Sequence, residues 1–183
     1  MNIVIIDAGL GNIHSVKNSF YKVASKHFKN SKLRISKDPD IISKSDRVIL
    51  PGVGDFSQCK KGLFSIDGME QVLREIFKDK KIPFLGICVG MQILAEKSYE
   101  RGEHKGFGII KGEVCKFKIT NKMMKIPHMG WNEIKKTINH KLIKDDINNK
   151  DFYFVHSYHM VCKQNKNILA TTNYGEDIVA AIC

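Results

Sequence analysis

No stretch of this sequence approaches the roughly 18 consecutive apolar residues that a bilayer-spanning helix requires. The apolar run at its start, Ile3 to Ile6, is cut short by Asp7, with no basic region before it. That pattern argues against a membrane anchor or a secretory leader, and a cytoplasmic protein is expected. Cysteine is sparse and scattered: none of Cys59, Cys88, Cys115, Cys162 and Cys183 has a partner at the two-residue spacing of a zinc knuckle or redox motif. Reduced thiols, no metal site and no cofactor are the expectation. There is one tryptophan, and there is no internal repeat, low-complexity tract or interdomain linker.

Acidic residues are also in short supply, 19 against 30 lysines and arginines, which leaves a formal net charge of +11. Such an excess suits phosphate neutralisation. However, the densest clusters, Lys78 to Lys81 and Lys163 to Lys166, are short, and no zinc-finger, RNA-recognition or helix-turn-helix signature lies beside them. A solvated lysine-rich surface accounts for the charge, and no nucleic-acid partner is expected. An acidic protein partner or a phosphorylated substrate would use the same charge.

The apolar pattern alternates strand and helix. Ile3 to Ile6 reads as a buried strand and Asp7 to Asn12 as a glycine-containing break. Ile13, Val16, Phe20, Val23 and Ala24 then recur at helical spacing behind a potential cap at Asn12. Leu33 to Ile35 and Arg47 to Leu50 read as strands, the latter ending at Pro51-Gly52-Val53-Gly54. Met69, Val72, Leu73, Ile76 and Phe77 mark one face of a helix. Ile82 to Ile87 reads as a central strand running into Cys88 and a helix from about Val89 to Lys97. After Gly106 the texture changes. Val114 to Ile119 and Lys125-Ile126 are predicted antiparallel strands around a turn at Asn121, and Phe152 to Val155, Ile168 to Thr172 and Asp177 to Ile182 are further strands. Lys135 to Lys150 reads as a variable surface excursion. The implied class is α/β: a mainly parallel central sheet flanked by helices, with an antiparallel β section in the second half.

Gly86-Ile87-Cys88-Val89-Gly90 is the most informative pentapeptide. Small residues two before and two after a nucleophile permit a sharp strand-to-helix turn that exposes the side chain at the top of a sheet. A thiol at a helix N-terminus is also favoured as thiolate. Taken alone, Cys88 could equally be a buried small hydrophobe. The glycines of Pro51-Gly52-Val53-Gly54, at the end of a second strand, fall on the same sheet edge, where backbone N–H groups could approach a developing oxyanion.

PGVG, GICVGMQ, IPHMGWN and YFVHSY, in that order, together with the opening IDAGLGNIHSV, resemble class I glutamine amidotransferases. Within that class they are similar to the glutaminase subunits of imidazole glycerol phosphate synthase. Ala8 stands where those openings commonly carry an aromatic residue. The resemblance covers residues 1 to 183 and implies a single amidotransferase domain. It implies that Cys88 attacks the carboxamide of glutamine to form a thioester and release ammonia, with the amides of Val53 and Val89 stabilising the oxyanion. Gly52, Gln92 and His156-Ser157-Tyr158 would hold the glutamine. Ammonia would pass to a cyclase subunit with a (β/α)8 barrel in histidine biosynthesis, and Trp131 and Tyr153 would face that partner. A lone tryptophan is more often core. Gln92, one helical turn beyond Cys88, could face the pocket or the solvent. His128 and His159 read as structural or exposed.

The same resemblance implies a catalytic histidine and glutamate in a His-Pro-Glu motif, after a strand that follows the last one present, in chains that run a few tens of residues further. No His-x-Glu pair occurs in this sequence. The expectation is therefore an amidotransferase domain incomplete at its C-terminus, inactive or weakly active as written. The alternatives are a non-catalytic docking remnant, a subunit serving another ammonia acceptor, and an enzyme that recruits His156 or His159 as its base.

Overall fold

The computed structural model describes residues 1–9, 11–28, 30–78, 82–119, 124–143 and 147–183. The chain divides into two compact units, Met1–Leu94 and Ala95–Cys183.

The first unit is a four-stranded parallel sheet of β1 (Asn2–Ile6), β2 (Lys32–Ser36), β3 (Arg47–Gly52) and β4 (Phe84–Cys88), in the order β2-β1-β3-β4. Its central strands are apolar on both faces, as a sheet covered on both sides requires. One face carries Ile3, Ile5 and Ile49, against which pack Ile13, Val16 and Phe20 of helix α1 (Ile13–His27). The alternate residues Val4, Ile6, Val48 and Leu50 are at most 2% exposed. Each such side chain withdrawn from water contributes about 1.5–3 kcal/mol.

The helices start where short polar side chains can satisfy free backbone N–H groups. Asn12 Oδ1 accepts from Ser15 N–H at 3.2 Å, as expected for the cap of α1. Asp38 caps the short helix α2 (Pro39–Ser43), and Asp55 caps α3 (Phe56–Phe64), accepting from Gln58 N–H at 2.8 Å. Helix α4 (Met69–Lys78) buries Met69, Leu73 and Ile76 and sets an Arg74–Glu70 ion pair on its outer face. Helix α5 is a single turn, Val89–Gln92. The longer helix expected to Lys97 is not formed. Ala95–Ser98 is instead strand β5 of the second unit, paired in parallel with β7 (Ile110–Lys116), and that pairing outweighs the helical spacing of its residues.

The second unit is mostly antiparallel. One sheet has the order β10-β7-β5-β6, with β6 at His104–Lys105 and β10 at Tyr158–Cys162. Another has the order β12-β11-β8-β9, with β8 at His128–Lys136, β9 at Lys150–His156, β11 at Ile168–Asn173 and β12 at Asp177–Ile182. The expected α/β class, with a parallel sheet followed by an antiparallel section, is the observed one. Lys125-Ile126 is not a strand; β8 begins just after it. The turn expected at Asn121 lies outside the described residues, as do Asp79 to Lys81 of the first lysine cluster. Lys163, in the second cluster, pairs with Glu96 at 2.8 Å. Among the described residues no helix is long and apolar enough to cross a membrane.

Candidate active site

The first unit presents the sharp strand-to-helix turn at Cys88. Cys88 is the last residue of β4 and immediately precedes α5, with φ 56° and ψ −119°. Left-handed backbone is strained for a side-chain-bearing residue, and such strain concentrates at functional positions. The turn is possible because of its neighbours: a Cβ on Gly86 would overlap the carbonyl of Gly90, and one on Gly90 would overlap the carbonyl of Leu50. Both flanking positions therefore admit only glycine, for reasons of space. Cys88 is exposed, so the alternative of a buried, inert thiol does not hold.

Gly52 pairs with Cys88 in the β3–β4 register, so the PGVG and GICVG segments end side by side on one sheet edge. Gly52 is buried and Val53, the next residue, is 47% exposed. Val89 is buried, and its amide is the first of α5, where a backbone N–H has no intrahelical acceptor. Gln92, the last residue of α5, is 8% exposed, which decides against a solvent-facing position.

One neighbour was not singled out from the sequence. Cys59 on α3 is fully buried, and its sulfur lies 3.1 Å from the position a Cβ on Gly52 would occupy. Burial, and secondarily the nearby Cys88 and Asp55, push its thiol up to about 11. The signal was the spacing of Cys59, four residues past the cap Asp55, in a buried stripe shared with Phe56 and Leu63.

In the second unit His156-Ser157-Tyr158 joins β9 to β10. His156 Nδ1 lies 3.0 Å from the carbonyl oxygen of Tyr158, and the Ser157 carbonyl accepts from Phe117 N–H at 3.3 Å. His156 Nε2 lies 3.1 Å from His128 Nδ1. Both ring nitrogens of His156 are thus engaged within this unit. His128 is 3% exposed and stacked between the rings of Phe154 and Tyr174, with centroids at 4.8 and 4.0 Å. His159, also buried, stacks on Phe117 and lies 4.0 Å from Glu176. Burial holds His128, His156 and His159 below the usual imidazole range.

Trp131 and Tyr153 are a directly opposed pair in the β8–β9 register, with ring centroids 5.6 Å apart and edge-to-face. They are 72% and 55% exposed, so the lone tryptophan is not core. Met129 and Val155, the neighbouring opposed pair on the same face, are also exposed. Four adjacent exposed apolar side chains form a contiguous patch of the kind that marks interaction surfaces.

The family model for glutamine amidotransferase class-I matches residues 4–183. The chain is 40% identical over 185 residues to the imidazole glycerol phosphate synthase subunit HisH of Rhodopseudomonas palustris, covering 100% of this chain and 86% of that protein. It is 43% identical over 180 residues to subunit HisH 2 of Methanococcus maripaludis, covering 98% and 85%. Among solved structures, a glutamine amidotransferase aligns over 93% of this chain and 84% of its own, with a TM-score of 0.67 at 13% identity. The glutaminase domain of the Trypanosoma brucei CTPS with bound acivicin aligns over 98% and 79%, with a TM-score of 0.55 at 15% identity. The fold is thus shared with distant amidotransferases, and by its sequence the chain belongs to the class I glutamine amidotransferases, within the family of the imidazole glycerol phosphate synthase subunit HisH.

Proposed function

We propose that this protein is the cytoplasmic glutaminase subunit of an imidazole glycerol phosphate synthase, with the two units acting as one amidotransferase domain. It hydrolyses glutamine and passes ammonia to a cyclase subunit in histidine biosynthesis, so that the assembled heterodimer acts as a lyase. The observation that carries this reading is the strained, exposed Cys88 beside Gly52 at one sheet edge.

In this mechanism the Cys88 sulfur adds to the carboxamide carbon of glutamine. The carbonyl electron pair moves onto oxygen, which the amides of Val53 and Val89 stabilise as an oxyanion. Collapse expels the amide nitrogen, which takes a proton and leaves as ammonia, and a thioester to Cys88 remains. Water then adds to the thioester carbon and releases glutamate and the thiol. Gly52, Gln92 and His156-Ser157-Tyr158 hold the glutamine. Trp131 and Tyr153, with the patch around them, face the (β/α)8-barrel cyclase.

Proton transfer needs a base, and residues 1–183 hold no His-x-Glu pair. His156 is poorly suited to stand in, since both its ring nitrogens are committed. A second reading is a docking module that keeps the partner surface without turnover. The two are separated by measuring glutamate release by the chain with a cyclase subunit and its nucleotide ligand, beside Cys88→Ala. Release that disappears in Cys88→Ala supports the glutaminase. No release by a folded, cyclase-binding chain overturns it in favour of docking.

A further inference from the structure

Asn132, His128 and His156 form a hydrogen-bonded series whose direction is fixed at both ends by backbone groups. At one end, Asn132 Nδ2 donates to the carbonyl oxygen of Asn173 at 2.8 Å, and Asn132 Oδ1 accepts from Glu133 N–H at 2.9 Å. A carbonyl can only accept and an N–H can only donate, so the amide has one orientation. Its second Nδ2 hydrogen points to His128 Nε2 at 3.3 Å, which must therefore be the unprotonated nitrogen of that ring. At the other end, the Tyr158 carbonyl obliges His156 Nδ1 to carry hydrogen.

Between these ends the only consistent assignment is His128 Nδ1–H donating to an unprotonated His156 Nε2, across 3.1 Å. Every donor meets an acceptor, and both imidazoles are neutral. An added proton on either ring would set N–H against N–H, or would require Asn132 to turn and leave the Asn173 carbonyl without its donor. The series is held rigid by stacking of His128 between Phe154 and Tyr174 and by the edge of Phe117 against His156, at 4.9 Å between centroids. Its terminal bond closes the turn between β9 and β10.

We propose that His128 and Asn132 are positioning residues: through His156 they fix the carbonyl of Tyr158 and thereby the His156-Ser157-Tyr158 backbone that receives glutamine. The proposal rests on the reading above that this segment binds glutamine. Neither residue touches substrate. Both act by holding a peptide in place, and they do so only while both rings keep the Nδ1-protonated tautomer, the less common one for a free imidazole.

Two measurements test it separately from that reading. Long-range ¹H–¹⁵N correlation spectra of the full chain at pH 7.5 should show Nδ1 protonated and Nε2 bare on both His128 and His156. Asn132→Asp, which offers only acceptor oxygens, should add a proton at His128 Nε2 while Nδ1 keeps its own. Nε2-protonated rings in the parent chain overturn the series. The second measurement is calorimetric titration of glutamine into a Cys88→Ala parent. Adding His128→Phe, which keeps a flat ring for the stack, should weaken glutamine binding by about tenfold. His128→Gln, which can both donate and accept, should recover part of that loss. Equal affinity in His128→Phe and its parent overturns the positioning role even where the spectra agree. A folded parent that binds no glutamine while the spectra agree overturns the glutamine reading, and with it the positioning role, but leaves the series intact.

Discussion

Gly52 and Cys88 are paired residues at the ends of neighbouring parallel strands, and no room is left for a side chain at Gly52. A Cβ on Gly52 would stand 2.6 Å from Gly90 N and 3.1 Å from the Cys59 sulfur. The first is backbone of the turn at Cys88 and cannot yield without moving that residue. Gly52→Ala should therefore destabilise the chain by about 1–3 kcal/mol and displace the turn. The checks are the midpoint of urea unfolding and the rate at which a chloroacetamide reagent modifies Cys88. Unchanged values for both would show that the turn relaxes freely.

The two thiols at this edge should differ sharply in reactivity. Cys88 is exposed, whereas Cys59 is fully buried with its thiol raised to about 11. At pH 8 only ~10⁻³ of Cys59 would be thiolate, and burial denies reagents access to it. Limited alkylation followed by peptide mass spectrometry should find Cys88 modified well before Cys59. Comparable rates at the two positions would contradict the burial of α3 against the sheet edge.

Much of the first unit was legible because its residues obey one rule at a time. Ile3 to Ile6 and Val48 to Leu50 are continuous apolar runs and became buried strands; Asn12 and the spacing of Ile13, Val16 and Phe20 became a capped helix. Ala95–Ser98 misled because its residues continue the helical spacing that begins at Val89, and only pairing with a strand distant in sequence makes them β. Strand β8 hid for a different reason: its pattern is inverted from His128 to Asn132, before Ile134 turns inward. The polar His128 and Asn132 lie on the more buried face, where they satisfy one another, and the apolar Met129 and Trp131 face outward. No rule that reads apolar as inside can find such a strand. The inversion is itself informative, since neither local structure nor the core explains why these apolar groups are exposed. The sharp turn at Cys88 was legible from glycine spacing, whereas the direction of the hydrogen bonds behind His156 depends on contacts between residues distant in sequence.

That outward face leads to a prediction separating folding from association. Trp131 is 72% exposed and touches Tyr153 edge-on, so Trp131→Ala should change folding stability by no more than about 0.5 kcal/mol. If the patch receives the cyclase, the same change should weaken that complex by about 2 kcal/mol or more, as expected for an aromatic at the centre of an interface. Thermal unfolding of the free chain and calorimetric titration with the cyclase subunit measure the two effects. Equal cyclase affinity with and without Trp131 would remove this face from the interface.

The buried histidines set the chain's response to acid. His128 and His156 are held below the ordinary value of 6.5 chiefly by burial; their mutual proximity adds to this at His128, and the Tyr158 carbonyl opposes it at His156. His159 is lowered by burial too, with Glu176 opposing and His156 and Lys118 reinforcing the shift. An imidazole whose pKa is depressed in the folded chain binds protons more readily once unfolded, so the unfolded state gains protons first as pH falls. Stability should thus be level above pH 7, decline as pH drops through 6.5, and level again for these groups below their folded values. Urea midpoints measured from pH 8 to pH 5 should show that fall. In His128→Phe the decline should be shallower, because one proton-accepting site and the proximity that lowers it are both gone. An unchanged slope in that variant would mean that His128 is protonated as readily in the folded chain as in the unfolded one, which its place between Phe154 and Tyr174 does not permit.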